Sequence, residues 1–279
     1  MKGDGTVAQA LDEARGRGVA MLDARLMLGR LLGRSRTQLI AHDEETLGAP
    51  VAARWADWLG RRAAGEPLAY LLGEKEFHGL LLEITSEVLV PRPETELLVD
   101  WVVELLERFP VPARVIDLGT GSGAIALAVK QAHPRAVVTA TDASPGALAV
   151  ARRNARRLQL DVELVEASWW RGLEGRTFEI VVANPPYVRE GDPALAALRH
   201  EPLAALTPGG DGLGALRAIV DEAVSHLGAS GRLVLEHGFD QAGHVRALLA
   251  AAGLEAIETH PDLAGHPRAT GGRRPIRAP

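Results

Sequence analysis

Arg114-Val115-Ile116-Asp117-Leu118-Gly119-Thr120-Gly121-Ser122-Gly123 runs from a short apolar stretch directly into three glycines spaced two apart, and its reading decides the fold. A mostly apolar run of this length that stops at glycine reads as a buried strand, and the glycine turn that follows it opens a helix. Downstream the same alternation repeats, with strands expected over 114–118, 136–141, 162–165, 178–183, 232–235 and 254–259 and helices between them. Strands that alternate with helices form a doubly wound, mainly parallel sheet, so the class is α/β. Ser144-Pro145 supplies an N-cap and a proline at the first helical position, and Gly228 and Gly253 stand where helices are expected to end. The tail from Gly265 is rich in Gly, Pro and Arg, with one last strand expected around Arg268 and a frayed end at Pro279.

Upstream the period differs. Ala24, Met27, Leu28 and Leu31 fall at i, i+3, i+4 and i+7, and Val51, Trp55, Trp58 and Leu59 repeat a stripe of that kind. Gly33, Gly48-Ala49-Pro50 and Gly65-Glu66-Pro67 cut the pattern into short helices. Residues 1–72 therefore read as a small N-terminal helical bundle. Residues 73–93, with apolar segments around Gly79 and Thr85-Ser86, read as a β-hairpin linker, and 94–279 as the α/β domain. Leu98, Trp101, Val102 and Leu105 make the first helical face of that domain.

A chain of 279 residues can bury one large or two modest cores. Its 31 basic and 36 acidic residues give a net charge of -5, which offers no general attraction for a phosphate backbone, so no direct nucleic-acid partner is expected. The absence of Cys excludes disulfides, thiolate zinc sites and a thiol nucleophile. There is no H-E-x-x-H, and His260, Asp262 and His266 lie in a Gly- and Pro-rich stretch without a third imidazole in register, so no metal is expected. The first twelve residues lack a signal-peptide core and no run of about eighteen apolar residues occurs, which points to a cytoplasmic protein with no membrane partner.

The chemistry concentrates in three places. Gly119, Gly121 and Ala124 satisfy G-x-G-x-x-A, a loop where a nucleotide-like ligand approaches the backbone, and Asp142 ends the second strand, where an acid binds a ribose. That pattern alone suits NAD as well as S-adenosylmethionine. Asp117, just before the loop, favours the sulfonium amino acid over a pyrophosphate. So does Asn184-Pro185-Pro186-Tyr187, at the end of the strand over 178–183. Two prolines there lack N–H groups and hold the chain extended, so carbonyls stand without competing donors. The Asn184 carboxamide and the flat Tyr187 ring complete a grip for a planar –NH2 group, an amide or an aromatic amine. Trp169-Trp170 offers an indole for an adenine face, or a core residue. No phosphate-binding G-x-x-x-x-G-K-[ST] loop is present, and Ser122 lacks the flanks of a nucleophile elbow.

With these residues in hand, the chain resembles the release-factor glutamine N5-methyltransferases, the HemK-type family. The resemblance runs through Gly65-Glu66-Pro67 with Tyr70 and Gly73, Glu76-Phe77, Val90 and Pro91-Arg92-Pro93-Glu94-Thr95-Glu96, 117–123, 184–187, Gly212-Leu213 and Glu236-His237-Gly238. The Pro-Arg-Pro-Glu-Thr-Glu block is its most specific part, because Asn-Pro-Pro-Tyr also occurs in amino-methyltransferases that act on nucleic acid. The resemblance implies a Rossmann-like class I S-adenosylmethionine methyltransferase domain, S-adenosyl-L-methionine as cofactor and S-adenosyl-L-homocysteine as product. It implies class I peptide chain release factors as partners, docked with help from the helical domain and methylated on the glutamine of a Gly-Gly-Gln tip. On that basis Asp117, Gly119, Thr120, Gly121, Ser122, Gly123, Asp142, Trp169 and Asn184 hold the cofactor. Asn184 and Pro185 are catalytic, and Asn184, Pro185, Pro186 and Tyr187 hold the glutamine. Trp169 is preferred to Trp170 because its spacing to Asn184 matches the family's aromatic position. Ser168 departs from the family, in which many members carry an acid there for the adenine amino group.

Overall fold

In the computed structural model, described for residues 5–110 and 112–276, the chain forms two compact units that divide between Glu74 and Lys75. The first contains α1 (Val7–Gly16), α2 (Met21–Leu32), α3 (Arg36–Ala41), α4 (Ala49–Ala63) and α5 (Leu68–Leu72). Thr6 with Gln9 and Ser35 with Gln38 form reciprocal capping boxes at the starts of α1 and α3. Gly33, at φ +64, ends α2, and Pro50 sits in the first turn of α4. The stripes read from sequence point inward: Ala24, Met27 and Leu28 of α2 pack in one cluster with Trp55 and Leu59 of α4, Val7 and Leu39, while Leu31, Val51 and Trp58 cover its edge. Truncating a side chain such as Leu28, which has no exposed surface, to Ala costs about 2–5 kcal/mol in sites of this kind.

A hairpin of β1 (Glu74–Phe77) and β2 (Leu80–Glu83) follows, closed by His78 and Gly79 at φ +47 and +77. Two successive positive φ values match the right-handed twist of paired strands, which is why short hairpins use them. Then come α6 (Glu96–Leu106), β3 (Arg114–Leu118), α7 (Ala124–Ala132), β4 (Val137–Asp142), α8 (Pro145–Leu158), β5 (Glu163–Glu166) and β6 (Phe178–Ala183). The second half adds α9 (Ala194–Ala197), α10 (Gly214–His226), β7 (Leu227–Glu236), α11 (Ala242–Ala251), β8 (Glu255–Pro261) and β9 (Pro267–Arg273). Among the described residues no helix is long and apolar enough to cross a membrane.

Seven strands form one sheet in the order β5-β4-β3-β6-β7-β9-β8. The first five are parallel, and β9 runs antiparallel to both of its neighbours. Strands covered by helices on both faces are apolar along their length, as in Ile180, Val181, Val182 and Ala183 of β6 and Leu233, Val234 and Leu235 of β7, all without exposed surface. The chain walks from β3 to β4 to β5 in one direction, then returns to lay β6 on the other side of β3. At such a reversal the loops leaving the two adjacent carboxyl ends diverge and open a crevice.

One sequence expectation is corrected here. Gly228 does not end a helix: α10 passes at Leu227, already extended at φ -89 and ψ 133, straight into β7, and Gly228 lies inside that strand. Leu227 already pairs with Phe178, and a register shift between Phe178 and Ile180 takes up Ser230 at φ +60. The strand is therefore longer than the expected 232–235. The frayed end expected at 277–279 lies outside the described residues.

Candidate active site

The loop after β3 is held by its own backbone. The N–H groups of Gly119 and Thr120 both donate to Thr141 O, at 2.9 and 2.8 Å, which ties the turn to the end of β4. Gly121 N–H donates to Asp142 Oδ2 and Ser144 N–H to Asp142 Oδ1, each at 2.9 Å. Burial raises the Asp142 carboxyl above its usual range, and these N–H bonds oppose that rise. Ala143 N–H adds a third bond, and since the two oxygens together can accept about four, the carboxylate retains capacity for a ligand hydroxyl.

Asp117 lies fully buried beneath this loop. Its Oδ2 accepts from the Thr120 hydroxyl at 2.6 Å and from Ala126 N–H at 3.2 Å, whereas its Oδ1 has no partner among the described residues. Burial pushes its carboxyl up to about 7. Thr120 and Ser122 are themselves buried, and Ser122 O accepts from the Asn154 side chain at 2.9 Å. The loop is thus braced from below.

A cavity of about 390 Å³ opens above it, within the usual size of small-molecule sites. Four strand ends contribute: Gly119 and Gly121 after β3, Asp142 and Ser144 after β4, Ser168 and Trp169 after β5, and Asn184 and Pro186 after β6. Val88 and Leu89 form one further wall and Pro202, Ala204 and Ala205 another. Of the residues expected from sequence, the cavity wall gathers Gly119, Gly121, Asp142, Trp169, Asn184 and Pro186. Asp117, Thr120, Ser122, Gly123, Pro185 and Tyr187 are not among its lining residues.

The two tryptophans separate cleanly. Trp170 is core: it stacks on His226 with ring centroids 4.3 Å apart, and its Nε1 donates to Ile219 O at 2.8 Å. Trp169 takes φ +51, unusual for a bulky residue, and brings its ring over Gly119 so closely that a Cβ there would lie 3.4 Å from it. Ser168 lines the cavity with a small hydroxyl in place of an acid.

Asn184 is oriented from behind. Its Nδ2 donates to Thr95 Oγ1 at 3.1 Å, while its Oδ1 takes no hydrogen bond among the described residues. Thr95 comes from the Pro-Arg-Pro-Glu-Thr-Glu block and is buried. At the end of β7, Glu236 Oε1 accepts from the Tyr187 hydroxyl at 3.2 Å. The Glu236 side chain is buried, its Oε2 has no hydrogen-bond partner among the described residues, and burial lifts its carboxyl to about 7. Burial also raises the Tyr187 phenol above its usual value, so it stays a donor.

Other braces were not legible in the sequence. Arg92 pairs with the buried Glu201 at 2.5 Å, and Glu201 Oε2 also accepts from Val90 N–H at 3.0 Å, which fixes the two outer walls to each other. The carbonyl of Tyr187 accepts from Gln241 Nε2 at 3.0 Å and leaves no room for a side chain at Gly212, where a Cβ would stand 2.5 Å from it. The motifs 236–238 and Gly212-Leu213 drew attention to these positions but carried no role.

The chain is similar to known proteins. The family model for the Methyltransferase small domain matches residues 95–213, and that for the PrmC N-terminal domain matches 6–73. A release factor glutamine methyltransferase from Burkholderia pseudomallei is 48% identical over 278 residues, covering 96% of this chain and 97% of that protein. One from Deinococcus radiodurans is 46% identical over 255 residues, covering 91% of each. The crystal structure of a methyltransferase from Pyrococcus furiosus superposes with a TM-score of 0.55 at 19% identity, over 79% of this chain and 100% of that one, which speaks for the fold alone. With relatives of this identity along nearly its full length, a methyltransferase domain and the matching N-terminal domain, the chain belongs to the release factor glutamine methyltransferase family.

Proposed function

We propose that this protein transfers a methyl group from S-adenosylmethionine to the side-chain amide nitrogen of the glutamine in the Gly-Gly-Gln motif of class I peptide chain release factors, in the cytoplasm. The observation that carries the reading is Asn184, at the wall of the cavity: its Nδ2 is tied back to Thr95 and its Oδ1 has no partner among the described residues. Such an acceptor, next to the carbonyl of Pro185, suits the two N–H bonds of a primary amide. The names of its relatives support a release factor glutamine as the substrate.

The residues present fit the cofactor. Asp142 retains acceptor capacity for ribose hydroxyls, Trp169 offers an indole face, and the unpartnered Oδ1 of Asp117 suits a cationic amino acid head. Gly119, with Trp169 against it, keeps the loop backbone bare. When bound, the cofactor supplies an electrophilic methyl group on a sulfonium.

A glutamine amide is a weak nucleophile because its nitrogen lone pair is delocalised into the carbonyl. Asn184 Oδ1 and the Pro185 carbonyl, by accepting both amide hydrogens, favour a nitrogen whose lone pair faces the methyl carbon. The bound cofactor would supply the methyl carbon and keep the electron pair of its C–S bond on sulfur, leaving S-adenosylhomocysteine. The amide nitrogen then sheds one proton to water, so no strong base is required. Pro186 and Tyr187 hold the flat amide. Alignment of this kind is worth roughly 7 to 11 kcal/mol in well-oriented cases.

The test is transfer of labelled methyl to intact release factor, to a variant with that glutamine replaced, and to single-stranded and duplex nucleic acid. Label on the parent release factor alone is expected. Equal label on the variant refutes the site, and label on nucleic acid alone points instead to an adenine methyltransferase with the same amine grip.

A further inference from the structure

We propose that Glu201 is a positioning residue that sets the cofactor wall and the amide grip in one frame, by closing a circuit of bonds that passes through both; its role at the amide rests on the methyl-transfer reading above.

The circuit starts at Asn184, whose Nδ2 donates to Thr95 Oγ1 at 3.1 Å. Thr95 N–H donates to Arg92 O at 3.1 Å across the 3-10 turn Pro93–Thr95, so the place of Thr95 follows that of Arg92. Arg92 Nη2 donates to Glu201 Oε1 at 2.5 Å, and Val90 N–H donates to Glu201 Oε2 at 3.0 Å. From Glu201 the chain passes through Pro202, Ala204 and Ala205 in the cavity wall, and Leu206 O then accepts from Val188 N–H at 2.9 Å. Val188 follows the Asn-Pro-Pro-Tyr motif directly, which returns the circuit to Asn184.

Pro91 and Pro93 lack N–H groups, and Arg92 between them, at φ -98 and ψ 145, is extended as a residue before proline must be. A strand ladder cannot anchor such a stretch, so a side chain does. The Glu201 side chain is 2% exposed, and the wall residues beside it are Pro202, Ala204 and Ala205. An apolar side chain at 201 would be buried there without the desolvation that a carboxylate suffers. What apolar packing does not supply is direction. Two bonds from one carboxylate hold Val90 and Arg92 against the segment that carries the opposite wall. Val88 and Leu89, which line the cavity, directly precede Val90, and Thr95, which orients Asn184, is bonded to Arg92. Loss of the Glu201 charge therefore loosens the cofactor wall and the amide grip together.

Glu201→Gln, Arg92→Leu, Arg92→Lys and the double variant Arg92→Leu/Glu201→Gln are compared with the parent for thermal unfolding, S-adenosylmethionine affinity and methyl transfer to intact release factor, at a temperature where each is folded. A brace that served stability alone would lower the unfolding temperature and leave the affinity and kcat of the folded protein unchanged. Glu201→Gln and Arg92→Leu are each expected to weaken cofactor binding and to lower kcat, both by about fivefold or more. Arg92→Lys, which keeps a cation facing Glu201, is expected to recover part of both losses. The double variant should lose no more than the poorer single one, because both substitutions break the same contact. A smaller loss in either quantity for folded Glu201→Gln overturns the proposal, as do losses that multiply in the double variant. If Glu201→Gln fails to fold, the Arg92 pair decides: Arg92→Lys no better than Arg92→Leu overturns it. A parent that transfers no methyl to release factor overturns the amide reading; cofactor affinity in the same variants then decides alone, and parental affinity overturns the role of Glu201.

Discussion

Gly121 N–H donates to Asp142 Oδ2 at 2.9 Å, so the acid that ends β4 also closes the glycine loop that leaves β3. Asp142→Ala removes that brace and the one to Ser144 N–H together with any acceptor for a ribose. The expected result is a loss of S-adenosylmethionine affinity of roughly 1–3 kcal/mol, the scale of hydrogen bonds to a charged group. Because the sheet beneath remains packed, the fold should survive with a smaller loss of stability. Calorimetric titration that finds parental affinity in a folded variant would remove Asp142 from the site.

Asn184→Ala should act on turnover far more than on cofactor affinity, since the side chain is assigned to the amide. A group used mainly in the transition state lowers kcat and kcat/KM together when lost. Asn184→Asp is the finer instrument: it keeps an acceptor of the same size but loses the donor to Thr95 and adds a charge. Activity between that of the parent and of Asn184→Ala is expected. Parental turnover in Asn184→Ala would defeat the acceptor role.

Asp117 makes stability depend on pH in a direction set by its burial. The ordinary carboxyl of an unfolded chain titrates near 3.8, whereas in the fold it is lifted to about 7. Between those values the folded chain holds a proton that the unfolded chain has released. Its contribution to stability therefore falls as pH rises through this window and levels off above it. Asp117→Asn, measured without cofactor, should gain on the parent between pH 4 and 8, by up to about 4 kcal/mol for a shift of this size. Glu236 titrates in the same window with the same sign, but it is present in both proteins and cancels in the difference. Urea unfolding curves whose spacing does not change with pH would show that Asp117 titrates normally.

What the sequence made legible is local. The ends of β3 and β6 were readable because an apolar run stops at Gly119 in one and at Asn184 in the other. The start of β7 was not, since Gly228, Ser230 and Gly231 have the composition of a turn and only pairing with β6 makes them a strand. The same division holds at the site. Gly119, Asp142 and Asn184 announce themselves by type and by position after a strand, and the cavity wall collects them. Thr95, Glu201 and Glu236 act on partners 89, 109 and 49 residues away, at Asn184, Arg92 and Tyr187. No short-range pattern encodes such pairs, because the sheet order brings them together. Pro185 and Tyr187 carry a motif yet are not among the lining residues, and the Tyr187 hydroxyl donates to Glu236.

The N-terminal unit presents a face that its own core does not use. Leu22 and Leu26 lie one turn apart on α2 and are 58% and 45% exposed, while Ala24, Met27 and Leu28 of the same helix are buried. Adjacent apolar side chains in water suit contact with a large partner, which on the proposed function would be the body of a release factor outside its Gly-Gly-Gln tip. Replacing both with Gln should leave thermal stability and S-adenosylmethionine affinity near parental, because neither side chain supports the bundle. It should reduce kcat/KM on intact release factor by about tenfold, the equivalent of roughly 1.4 kcal/mol and less than full burial of two leucines. A short Gly-Gly-Gln peptide lacks the body that this face would meet, so the same substitution should leave its already low rate unchanged. Remote contact energy spent on aligning a weak nucleophile also means that the peptide loses turnover as well as affinity relative to the whole protein. Equal losses on peptide and on intact factor would place the effect in the catalytic unit and withdraw the docking role from α2.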